Sequence, residues 1–168
     1  MNPLQRLLWQ QFGAGIDMLA NAIAQCPDDY FARRSRFYYV AFHAAVFLDY
    51  YLTVPPSTFV PALPFQEWRG EDAPAYAVNG MVPDHPVSRE QLVDYVHRSR
   101  ARARELISGL TEDYEGERFT EGNEAGDMDY PLLEIILYNL RHTQHHCGQL
   151  HLLLREDCDL HAEWSFRA

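Results

Sequence analysis

The stretch Asn139-Leu140-Arg141-His142-Thr143-Gln144-His145-His146-Cys147-Gly148-Gln149-Leu150 decides how this chain is read. Its periodicity is helical. Ile135, Asn139, His142, His146, Gln149 and Leu153 recur every three or four residues on one stripe that is apolar at both ends. Two imidazoles therefore face a core. They stand one turn apart along the helix axis and about 40° apart around it. Inward imidazoles need a partner for each ring nitrogen. A pair at this spacing can converge on one metal ion. Imidazole suits zinc, nickel, copper and iron alike, so the spacing does not choose the metal.

Three further helical patterns lie upstream. Leu4, Leu8, Phe12, Ile16, Leu19 and Ile23 define the first, to about Ala24, before Pro27-Asp28-Asp29 gives a stop and a restart signal. The second runs from about Ser35 to Thr53. Tyr39, Val40, His43, Val46, Phe47 and Tyr50 share one side, and Val54-Pro55-Pro56 ends it. The third opens on the capping box Ser88/Gln91 and ends near Leu110-Thr111. The histidine-bearing helix is the fourth, expected from Asp129-Tyr130-Pro131 to about Arg155, with proline in its first turn. Between the second and third helices, residues 55–86 are proline-rich and aperiodic, and read as a long structureless crossing connection, a lid or a wrap. No strand pattern stands out. The expectation is an all-α, four-helix bundle with a crossover between helices 2 and 3, one domain over residues 1–168.

Composition excludes several functions. A net charge of −10 on 168 residues opposes binding to phosphate backbones, so no nucleic-acid partner is expected. Every basic residue is arginine, which removes Schiff-base lysines and phosphate-loop lysines. Cys26, Cys147 and Cys158 have no CxxC spacing and read as reduced thiols. No apolar run approaches a membrane span and no leader pattern is present, so a cytoplasmic protein without a membrane partner is expected. The arginines at 98, 100, 102 and 104 read as a helix face pairing with nearby acids.

His43 lies in the apolar face of the second helix, between Tyr39 and Phe47. A lone histidine there is ordinarily a satisfied core residue. With an inward HxxxH pair elsewhere, it is read as a third ligand. His145 falls to the other side of His142 and reads as a neighbour of the site or a flank position, while His151 should point away. His85, His97 and His161 read as bystanders. Asn139, Gln149, Tyr39 and Tyr50 are the candidates to surround the ligands, and Glu134 is a further orienter or fourth ligand. Asp49 is poorly placed to orient His43 and is expected to pair with an arginine or to cap local backbone.

The segments Phe42-His43-Ala44-Ala45-Val46-Phe47-Leu48-Asp49-Tyr50-Tyr51-Leu52 and Arg141-His142-Thr143-Gln144-His145-His146-Cys147-Gly148-Gln149-Leu150 resemble the DinB-like (YfiT-like) proteins. The resemblance covers most of the chain and is most specific at HxxxHxGQ, with Cys147 where family members often carry arginine. It implies a bundle in up-down-down-up order. It also implies a divalent metal, nickel or zinc, on His43, His142 and His146. Three neutral imidazoles leave a dication at least one open position, the pattern of a catalytic site. Such an ion activates water or holds a thiolate. The resemblance favours a thiol S-transferase acting on a low-molecular-weight thiol and a small electrophile. A homodimer is expected because bundles of this size with aromatic-rich faces often dimerise. A hydrolase using metal-activated water is the second chemistry. A non-catalytic bundle that binds a ligand or partner, with a structural or vestigial metal site, is the other class. No residue is assigned as catalytic.

Overall fold

A computed structural model describes residues 1–168 except 34 and 69, with only the backbone at 71. It is mostly helical. Among the described residues there are five α-helices: α1 (Pro3–Gln25), α2 (Asp28–Ala32), α3 (Arg36–Tyr50), α4 (Arg89–Gly109) and α5 (Leu132–Cys158). The four long ones are those expected. The single-turn α2 is the restart after Pro27, and its Tyr30 and Phe31 are buried against Phe37.

Local chemistry accounts for the helix ends. Asn2 and Gln5 form a capping box at α1, with Pro3 in the first turn. The amide of the same Gln5 donates to the carbonyls of Leu110 (2.8 Å) and Ser108 (3.1 Å), which lack helical partners at the end of α4. Ser88 and Gln91 form the expected capping box of α4. Helix α3 stops at Tyr50 rather than Thr53, and α5 begins one residue after Pro131 and runs to Cys158. Asp159, at φ 54°, ends α5 in the left-handed region that Asp tolerates.

Each long helix packs mainly on two others: α1 on α4 and α5, and α3 on α4 and α5. Contacts along α1 and α4 run in opposite directions, from Gln5–Leu110 through Asp17–Arg100 to Cys26–Arg89. Those along α3 and α5 also oppose, from His43–His146 to Leu48–Asn139 and Tyr51–Tyr138. Contacts between α3 and α4 ascend together, from Tyr38–Val87 to Thr53–Arg102. At Gly15 of α1 a Cβ would stand 2.7 Å from Nε2 of Gln144 on α5. The core includes Phe12, Ile16, Leu19, Phe37, Phe42, Leu48, Leu92, Ile107 and Ile136.

Two small antiparallel pairs correct the expectation of no strands. In the 55–86 connection, β1 (Phe65–Glu67) pairs with β2 (Met81–Pro83), so the connection is not structureless. Before α5, β3 (Arg118–Thr120) pairs with β4 (Asp129–Pro131). The proline expected inside the last helix is therefore the end of a strand. Three-residue strands are too short to show an alternating period. Phe119 anchors the second pair, fully buried with Tyr51 and Ile135.

Between α3 and α4, Asp49 is buried and paired with an arginine, the first of the two roles expected for it, and that arginine is Arg102. Asp49 also accepts the hydroxyl of Tyr95 at 2.9 Å. Arg102 in turn donates to Thr53 (3.0 Å). Arg100 forms a bidentate pair with Asp17 and covers the ring of Trp9, so the arginine face is largely spent on acids and aromatics. Removing the Asp49 carboxylate leaves a buried hydroxyl and a half-exposed guanidinium without their acceptor. Asp49→Ala is expected to lower stability by about 1.5–3 kcal/mol, measured by urea unfolding, while Arg98→Ala changes it by less than about 0.5 kcal/mol.

Candidate metal centre

His43 is carried by α3 and His142 and His146 by α5, and the antiparallel packing of these helices brings the three rings together. Nε2 of His142 lies 3.3 Å from Nε2 of His43 and 3.2 Å from Nε2 of His146. One nitrogen of each ring falls within 4.8 Å of the others, a group that could hold a metal ion. Two nitrogens each about 2.0–2.1 Å from a tetrahedral cation stand roughly 3.3–3.4 Å apart. The observed separations fit that spacing.

The protonation pattern fits as well. Nδ1 of His146 lies 2.8 Å from Oε1 of Gln149. A carbonyl oxygen accepts, so Nδ1 carries the hydrogen and Nε2 presents a lone pair. Nε2 of His142 has two nitrogen neighbours but at most one hydrogen to donate, so it cannot satisfy both. A cation accepts all three lone pairs at once. Burial, with His146 and His142 nearby, lowers the His43 pKa to about 3, and burial with His146 and His145 lowers that of His142 to about 4. Burial also lowers His146, against the opposing pull of Gln149. At neutral pH all three rings are thus neutral, the form that ligates.

Among the described residues, Nδ1 of His43 and Nδ1 of His142 are buried without a hydrogen-bond partner. The other candidates fall at different distances from the cluster. Gln149 touches it directly. Asn139 is fully buried but serves the frame: its Nδ2 donates to the Leu48 carbonyl (2.9 Å), in the last turn of α3. The Tyr39 ring packs edge-on against Tyr38. Tyr50 packs on Phe47 and donates to Glu121. His145 is exposed with its ring 5.0 Å from that of His146, and with Tyr138, Arg141 and His142 it lines a surface hollow. Glu134 is exposed and outside the group. Cys147 lies 3.4 Å from His151, and burial pushes its thiol up to about 12, a poor thiolate.

Three aromatic neighbours escaped attention as site residues. Phe47 sits 4.6 Å from His43 by ring centroids, Tyr51 5.8 Å from His142, and Tyr138 stacks on His142 at 6.2 Å. Phe47 and Tyr138 were within reach of the sequence, since each is four residues from a ligand on its own helix. Tyr51 is placed by the turn that ends α3, which leaves no periodic trace.

The family model of the DinB superfamily matches residues 11–150, a span that includes all three histidines. No curated protein and no solved structure matches the chain. Because Gln149 fixes the tautomer and orientation of His146, its loss should weaken the centre without unfolding it. Gln149→Leu is expected to lower affinity for a divalent cation by about 10–100-fold, read by competition with a chromogenic chelator, with the helical circular-dichroism signal unchanged.

Proposed function

The chain belongs to the DinB superfamily, and on that premise we propose that His43, His142 and His146 hold a divalent cation, nickel or zinc, at the working site of a thiol S-transferase. The observation that carries this reading is the convergence of three neutral imidazole nitrogens within 4.8 Å of one another, with both separations from His142 at the spacing of a tetrahedral ligand set. We read the four long helices as the family's up-down-down-up bundle and residues 1–168 as one domain. The directions of the interhelical contacts support the first of these. Exposed Leu152, Trp164 and Phe166 support the further proposal of a homodimer.

Held by His43, His142 and His146, such a cation would supply the Lewis acidity that favours the thiolate form of a low-molecular-weight thiol over its thiol form. The chain's own residues prepare the place. Gln149 turns the His146 lone pair inward. Phe47, Tyr51 and Tyr138 pack aromatic surface against the rings of His43 and His142. Arg141, over the Tyr138 ring at the hollow beside His142, offers a charge to an anionic group on the thiol. Asn139 holds the register of α3 on α5 and touches nothing that reacts.

Protein purified without a histidine tag is expected to carry one divalent cation per chain by elemental analysis, and the His142→Ala/His146→Ala variant none. Full occupancy in that variant would sink the site. In the cobalt(II)-loaded protein, cysteine or glutathione should change the visible spectrum. Loaded protein whose spectrum ignores thiols, but which hydrolyses esters or amides, would move the assignment to a hydrolase.

A further inference from the structure

Next to the histidines, and separated from them by Phe47, lies a second cavity of about 310 Å³. Its floor is α3, through Val46, Phe47 and Tyr50. Its roof is the 55–86 connection, where β1 and β2 hold Phe65, Glu67 and Met81 over the helix and Phe59 closes one end. Glu121, from the segment after β3, completes the lining. Four aromatic rings and two carboxylates thus face one space, and among the described residues no basic side chain lines it.

The Glu121 carboxylate is pinned in place. One oxygen accepts the Tyr50 hydroxyl and the other the backbone N–H of Met128 at 2.8 Å. Phe65 and Glu67, two residues apart on β1, project to the same face. Aromatic faces attract cations through their quadrupole, most strongly where water is displaced, and carboxylates at the rim supply the opposite charge. An anion would meet two negative groups and no positive one. A neutral apolar guest would gain the rings but leave the carboxylates unused.

We propose that this cavity binds a small organic cation, an alkylammonium group on an apolar body. The cavity stands independently of any metal. Its contact with His43 through Phe47 would make the cation the recognition handle of the electrophilic substrate, and that extension rests on the metal reading given above.

Choline and its uncharged isostere 3,3-dimethylbutan-1-ol test the proposal. With methionine methyls ¹³C-labelled, the Met81 signal reports on the cavity. Choline is expected to shift it saturably and to bind at least about tenfold more tightly than the isostere. Glu67→Gln, an exposed position on β1, should weaken choline by about three- to tenfold and leave the isostere unchanged. Phe59→Leu should weaken choline as well. The same shift in the His142→Ala/His146→Ala variant separates the cavity from the metal site. Equal affinity for the two probes, no saturation of the Met81 shift, or a choline affinity indifferent to Glu67→Gln would each overturn the proposal.

Discussion

Everything distinctive in this molecule depends on the antiparallel register of α3 against α5. A one-residue slip of either helix would rotate its histidine face by about 100° and disperse the cluster. Asn139 fixes that register. Its side-chain amide finds an acceptor at the end of α3, the Leu48 carbonyl, and it is fully buried in doing so. A buried polar pair is directional in a way that Leu-on-Leu packing is not, because displacement leaves both groups unsatisfied. Opposite it, Asp49, Tyr95 and Arg102 tie α3 to α4, so α3 is located from two sides.

The connections are as purposeful as the helices. The long 55–86 stretch folds back over α3, and the β3–β4 pair buries Phe119 beside Tyr50 and Tyr51. Together they surround the end of α3 that lies beyond His43. The helices thus position the imidazoles, and the connections shape the space next to them. Function in helical proteins often lies in such irregular segments, held by a rigid frame.

What could be read from the sequence follows from which signals are periodic. Helices α1, α3, α4 and α5 announce themselves through apolar stripes, and the Ser88/Gln91 box places the start of α4 to the residue. The HxxxH pair and the face that carries His43 are periodic too, so the three rings could be brought together from the sequence. An arginine or a local backbone cap was legible as the partner of Asp49, but the sequence did not say which arginine; the structure supplies Arg102. Glu121, Phe119 and Phe59 were beyond reach. They sit in segments whose conformation is set by turns and tertiary contacts, and a three-residue strand has no period to detect. Asn139 shows the opposite failure. Its stripe was right, yet a polar residue on the ligand face serves the α3 backbone.

The pairing of α1 with α4 and α5 has a consequence for biogenesis. The first long helix finds its principal partners only in the last two, and the wait runs from residue 25 to residue 89 for the start of α4 and to residue 132 for the start of α5. At roughly 5–20 residues per second of synthesis, the apolar face of α1 stands without them for several seconds to some tens of seconds. During that interval the nascent chain exposes Phe12, Ile16 and Leu19 to whatever else is at hand. A fold of this order is completed by its last helix, and the same event assembles the histidine cluster. Until α5 emerges from the ribosome, there is neither a closed core nor a site.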